Sequence, residues 1–124
     1  MIYEADENEL MNLVRSVNNH MNHVLNQFYS PYGLTRPQAI VLSEIERHGP
    51  VTVSLLAQRL GMTTSNLCLI AQRLEKSGFL KRNRDPEDQR SVILINTMKS
   101  HELIHQVQES VNEMIRQRLE YTDP

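Results

Sequence analysis

Residues 51–78 do the most to limit what this chain can fold into. Val51-Thr52-Val53 is a short β-branched piece, and Ser54 to Leu60 reads as a helix of about two turns. Gly61-Met62-Thr63 supplies a tight turn. A second helix then runs from about Thr64 to Ser77, with Gly78 as its C-terminal stop. Leu67, Ile70, Ala71 and Leu74 form its inward face. A short helix, a glycine turn and a longer helix opening on polar residues make the helix-turn-helix pattern.

A hairpin comes next in the chain. Phe79 to Arg84 and Arg90 to Asn96 are strand candidates, the second rich in β-branched residues, and Asp85-Pro86-Glu87-Asp88 between them carries turn chemistry. Ahead of the motif, Thr35-Arg36-Pro37-Gln38 reads as a helix start with Thr as N-cap. That helix runs to about Arg47, buries Ile40, Val41, Leu42 and Ile45, and stops at Gly49-Pro50.

Two longer helices flank this block. From about residue 6 to 29, Leu10, Val14, Val17, Met21, Val24 and Phe28 recur at spacings of four and three, until Ser30-Pro31-Tyr32-Gly33 breaks the pattern. Thr97 can cap a last helix to about Tyr121, striped by Ile104, Val107, Val111 and Met114 and extending to Leu119. Stripes this narrow suit helices that pack on other helices. The expected fold is mainly α with a small β-wing: one winged helix-turn-helix domain over 1–124. Its DNA-binding part spans about 35–96, and the N- and C-terminal helices (about 6–29 and 97–121) serve dimerisation.

Composition narrows the class. With 124 residues, 40% of them hydrophobic, the chain suits one small domain that gains from sharing a core with a second copy. No apolar run approaches the roughly 20 residues of a membrane span. The first residues lack the basic and apolar regions of a signal peptide, and one cysteine cannot form an internal disulfide. A cytoplasmic protein without membrane attachment is expected. Charge is uneven. Residues 59–99 carry eight Lys and Arg against four Asp and Glu, whereas the segments on either side are each net −3, giving −2 in all. A basic middle between acidic ends suits a nucleic-acid face on an otherwise repelled surface, although solvated charges scattered by chance give the same totals.

These residues resemble a MarR-type winged helix-turn-helix regulator. The resemblance rests on Tyr32-Gly33-Leu34-Thr35 leading to Gln38, on Val51 through Gly61, and on Arg73-Leu74-Glu75-Lys76-Ser77-Gly78-Phe79-Leu80. Asp85-Pro86-Glu87-Asp88-Gln89-Arg90-Ser91 and then Thr97 complete it. It is close over roughly residues 30 to 100. It implies a homodimer built from the first and last helices and bound to pseudo-palindromic double-stranded DNA, with no catalytic activity and no cofactor. It also implies a repressor whose affinity responds to a small effector held between the dimer helices and the DNA-binding lobe. The second motif helix would enter the major groove and the wing arginine the adjacent minor groove, equivalent helices lying about 34 Å apart. Members of this family usually carry a further C-terminal helix. The sequence ends at Pro124, so a smaller or differently built dimer interface is expected.

For the major groove the candidates are Thr64, Ser65, Asn66, Cys68, Leu69 and Gln72. Ser, Asn and Gln can read base edges and Leu69 can meet a thymine methyl. The resemblance would often place basic residues at 64 and 69. For the wing and phosphates the candidates are Arg73, Lys81, Arg82, Arg84, Asp88 and Arg90. A guanidinium at a hairpin tip suits the negative potential of a narrow minor groove, and Asp88 can orient Arg90. Strand alternation sets Lys81 on one face and Arg82 and Arg84 on the other.

Two motifs have plain readings. Cys68 lies in the first turns of a helix, where thiols grow reactive, yet a small residue on a polar surface accounts for it. His101-Glu102-Leu103-Ile104-His105 matches the zinc-protease pattern letter for letter, but a catalytic zinc needs a third ligand and a substrate cleft. The runner-up functions are a zinc-responsive regulator using His101 and His105 with His20 and His23, and a winged helix that binds a protein with weak DNA affinity. Solvated helix-surface histidines suffice to explain the four imidazoles.

Overall fold

In the computed structural model the described residues are 7–122, with side chains described through residue 117. Residue 6, the expected start of the first helix, and the side chain of Leu119 lie outside them. Among these residues the backbone divides into two compact units, one ending at Thr35 and the other beginning at Arg36.

The first unit is helical. Helix α1 spans Glu7–Val24 and opens with Glu7 and Glu9, whose charge favours the N-terminal end of the dipole. The expected helix to residue 29 changes character before it ends. Leu25–Tyr29 is a π-helical turn and Ser30–Tyr32 a 3-10 turn that carries Pro31. Pro31 has no N–H to give a regular ladder, and Gly33 closes the segment in the left-handed region at φ 72°.

The second unit holds the sheet and four helices. Helix α2 is Arg36–His48, strand β1 is Val51–Thr52, and α3 is Val53–Leu60. Helix α4 is Thr64–Lys76, β2 is Leu80–Arg84, β3 is Val92–Asn96, and α5 is Met98–Thr122. Helix α2 buries Gln38, Ala39, Val41, Leu42 and Ile45. Ile40, expected among these, is 42% exposed. At 100° per residue it stands about 200° from Leu42, which puts it on the opposite side of the helix.

The hairpin is part of a larger sheet. Beside the expected pairing of β2 with β3 (Arg82 opposite Leu94), β1 pairs antiparallel with β3 (Val51 opposite Leu94), giving the order β1-β3-β2. Each tight connection has its own polar closure. The Oγ1 of Thr52 accepts from the Leu55 amide at 3.2 Å and that of Thr63 from the Asn66 amide at 3.1 Å, capping α3 and α4. Such a cap is worth about 1 kcal/mol. Gly61 ends α3 at φ 65°, a conformation that L side chains resist.

The core gathers Leu42 and Ile45 of α2, Leu56 of α3, Leu67 and Leu74 of α4, Phe79, Leu80 and Leu94, all nearly inaccessible. Removing one such side chain to Ala costs about 2–5 kcal/mol. Ile70, expected on the inward face of α4, is half-buried. This packing seats α4 across the unit with its other face in solvent.

Candidate nucleic-acid interface

Because Leu67, Ala71 and Leu74 turn inward, the residues between them turn out. Thr64, Ser65, Asn66, Leu69 and Gln72 are exposed and Cys68 is half-buried, so the expected reading row lies along one solvent face of α4. Leu69 is 57% exposed, an apolar group within a polar row. Cys68 is a free thiol.

The wing tip is built on Asp88. One carboxylate oxygen accepts from the backbone N–H of Arg90 (3.0 Å) and the other from the Ser91 hydroxyl (3.3 Å). Asp88 therefore orients Arg90 through its backbone, and the guanidinium of Arg90 stays exposed. Asp85 accepts from the Glu87 amide at 3.0 Å, a second turn closure of the same kind. Arg84 donates to the Gln89 carbonyl at 2.8 Å and so braces the loop from its own strand.

The remaining basic candidates divide. Arg73 and Lys81 are exposed. Arg82 is half-buried and committed inside the chain: Nε and Nη2 donate to Glu75 Oε1 at 3.1 and 2.9 Å, and its backbone N–H donates to Glu75 Oε2 at 3.3 Å. Sequence alone assigns Arg82 to phosphates and misses this pair, because nothing in a seven-residue separation across a turn marks it. The hydrogen bonds and charge of Arg82 hold the Glu75 carboxyl below the usual carboxylate range. An open cavity of about 220 Å³ lined by Glu75, Arg82, Asn83, Arg84 and Val92 lies beside this pair.

His101 and His105, two of the four histidines of the zinc-responsive alternative, lie on α5 beside carboxylates. His101 Nδ1 meets Glu46 Oε1, His105 Nε2 lies 3.4 Å from Glu109, and the two imidazoles stack at 6.4 Å. Among the described residues no three His, Cys, Asp or Glu gather as metal ligands. Glu46 also accepts from Asn96 Nδ2 at 3.1 Å, and the same amide donates to the Leu42 carbonyl at 2.9 Å. Burial pushes the Glu46 carboxyl up, but bonding to His101 and Asn96 outweighs it and leaves the carboxyl below its ordinary range.

A short helix, a glycine turn, an outward-facing second helix and a three-stranded wing are thus in place. Residues 32–91 match the model of the MarR family. The chain belongs to the MarR family. Over 91 residues it is 34% identical to the HTH-type transcriptional regulator YfiV of Bacillus subtilis, covering 73% of this chain and 57% of that protein. The chain thus spans little more than half the length of that relative.

Solved structures of transcriptional regulators agree with the fold. The transcriptional regulator Tm0710 of Thermotoga maritima superposes with a TM-score of 0.75 at 25% identity, over 95% of this chain and 83% of that one. A cysteine-to-serine mutant of MarR from Escherichia coli, complexed with operator DNA, gives a TM-score of 0.67 at 27% identity, over 89% and 79%. The winged helix-turn-helix architecture expected from the sequence is the one found. Among the described residues no helix is long and apolar enough to cross a membrane.

Proposed function

We propose that this MarR-family chain is a sequence-specific, double-stranded-DNA-binding transcriptional regulator that acts as a homodimer on a pseudo-palindromic operator. The observation that carries this reading is the exposed row Thr64, Ser65, Asn66, Leu69 and Gln72 on α4, which leaves hydroxyl and amide groups unburied on a helix of groove-entering size. Arg90 at the wing, Lys81 on β2 and Arg73 on α4 supply positive charge without burial. The operator-bound MarR relative supports the same use of the fold.

The homodimer rests on α1. Leu10, Leu13, Val14 and Val17 are all more than 40% exposed, a stripe that water disfavours and a second copy would cover. Helix α5 carries a half-exposed stripe of its own at Ile104, Val107, Val111 and Met114. We also assign the chain the role of a repressor that loses DNA affinity when a small effector binds, by analogy with its family.

The test is fluorescence anisotropy on DNA upstream of the protein's own gene, across a salt series. Saturable binding that weakens steeply with salt is the expected result, because Lys and Arg contacts release counterions from the duplex. Binding that is absent at every salt concentration removes DNA as the partner and leaves exposed Leu55 and Leu69 to a protein partner. The same titration with EDTA and then micromolar zinc tests the metal-responsive alternative, for which a sharp change is the supporting outcome.

A further inference from the structure

The inward face of helix α4 is held by apolar packing. Leu67, Ala71 and Leu74 fix which face turns inward, through contacts that are themselves non-directional. Directional bonds gather instead at its C-terminal end. Beyond the pair of Glu75 with Arg82, successive carbonyls of the chain leaving α4 are all taken by the junction between β3 and α5. Lys99 Nζ donates to the Ser77 carbonyl at 3.0 Å, Thr97 Oγ1 to Gly78 at 2.7 Å, and the Thr97 amide to Phe79 at 3.3 Å. The Lys99 ammonium also lies 4.4 Å from the centre of the Phe79 ring, which is itself buried in the core. A cation at this place complements the negative end of the α4 dipole.

The same junction is fastened on its other side. Asn96 donates to the Leu42 carbonyl and to Glu46, and His101 meets Glu46, so residues 96–101 tie the end of α4 to α2. Together these bonds form a bracket between the end of α4, the junction of β3 and α5, and α2.

We propose that Lys99 is a positioning residue for DNA recognition: it sets the tilt of α4, and through that tilt the placement of Thr64 to Gln72, without touching a base itself. The proposal rests on the DNA-binding reading above and adds to it a residue outside the reading helix. Leverage gives it force. A 13-residue helix is about 20 Å long, so a tilt of about 5° at the anchored end moves the other end by about 1.7 Å. A displacement of that size breaks a hydrogen bond to a base edge. It matters far less to contacts with phosphates, which carry no sequence information.

Lys99→Met keeps the length and apolar stem but loses the donor and the charge; Lys99→Arg keeps both. The probes are a duplex selected from a random pool by the wild-type protein and a scrambled duplex of the same length and composition. K99M is expected to lower the ratio of selected to scrambled affinity by about three- to tenfold, the worth of one lost hydrogen bond, and K99R to restore it. The salt dependence should stay that of the wild type. Equal losses on both duplexes with a shallower salt slope would make Lys99 a phosphate contact and overturn the proposal. An unchanged ratio with only a lower Tm would reduce Lys99 to a helix cap and overturn it as well.

A wild-type protein that selects no duplex overturns the underlying reading, and the proposal with it. That failure is told apart from failure of the anchor by amide hydrogen exchange at Ser77 and Phe79. These amides donate to Arg73 and Leu74 at the end of α4, and K99M speeds their exchange if Lys99 holds that end.

Discussion

Arg82 holds both carboxylate oxygens of Glu75, one through its guanidinium and the other through its backbone amide. This pair ties the last turn of α4 to β2, where Arg82 stands opposite Leu94. A charged bond that is both side-chain and backbone constrains direction as well as distance. Arg82→Gln is therefore expected to free Glu75, raising its titration toward the ordinary glutamate range. Carbon-13 NMR of the Glu75 carboxyl reads this directly, and an unchanged midpoint would show that the pair does not persist in solution. Glu75 titrates lower in the folded chain, so its contribution to stability is present above the ordinary carboxylate pKa and fades as pH falls through the native value.

Glu46 offers a second pH-linked test inside the unit. Burial raises its pKa, but the bonds to His101 and Asn96 and the attraction of His101 together bring it below the usual value. His101→Ala removes the first and last of these lowering influences, so Glu46 should titrate higher in the mutant. The stability difference between wild type and H101A, from urea melts across a pH series, is then expected to be larger above the ordinary carboxylate range and to shrink as pH falls through the native Glu46 value. A difference that grows toward acid pH would contradict the assigned partnership.

Local sequence makes the skeleton legible, while these pairings are not. Gly61, Thr63 and Gly78 announce where α3 and α4 begin and end because turn and cap chemistry acts over three or four residues. Periodicity reveals the inward face of α4, and turn residues reveal the wing. Strand β1 reads only as a β-branched piece, since its partner β3 lies about forty residues on and two residues carry no periodicity. Ile40 is misplaced by sequence because an unbroken apolar run, Ala39 to Leu42, does not say which member faces out. The outward row on α4, proposed above to read bases, is legible as a solvent face for the same reason as the inward one. The bracket of Asn96, Thr97, Lys99 and His101 is visible only in part: Thr97 announces itself as a helix cap, but its hold on Gly78 depends on how the sheet folds back.

Self-association is expected to depend on α1. Val17 lies on the exposed stripe and is 54% exposed, so an acidic residue there costs the isolated helix little. Val17→Glu should shift the sedimentation-equilibrium mass toward that of one chain while the far-UV circular dichroism at matched concentration keeps its helical shape. A mass unchanged by V17E would move the dimer contact elsewhere, with the α5 stripe next in line.

Arg90 and Gln72 should separate the two kinds of DNA contact. Arg90 projects from a loop fixed by Asp88, and a guanidinium so placed responds to groove shape and potential more than to base identity. Arg90→Ala is expected to weaken binding to selected and unrelated duplexes alike and to reduce the slope of log affinity against log salt by about one. Gln72 stands on the exposed face of α4 with both an amide donor and an acceptor to offer. Gln72→Ala should instead cost about 1–3 kcal/mol on the preferred duplex, leave unrelated duplexes nearly unaffected, and keep the salt slope. Anisotropy titrations of both mutants on both duplexes at several salt concentrations distinguish these patterns. If R90A lost affinity only on the preferred duplex, Arg90 would be reading bases and the wing would have to be assigned a share of sequence recognition.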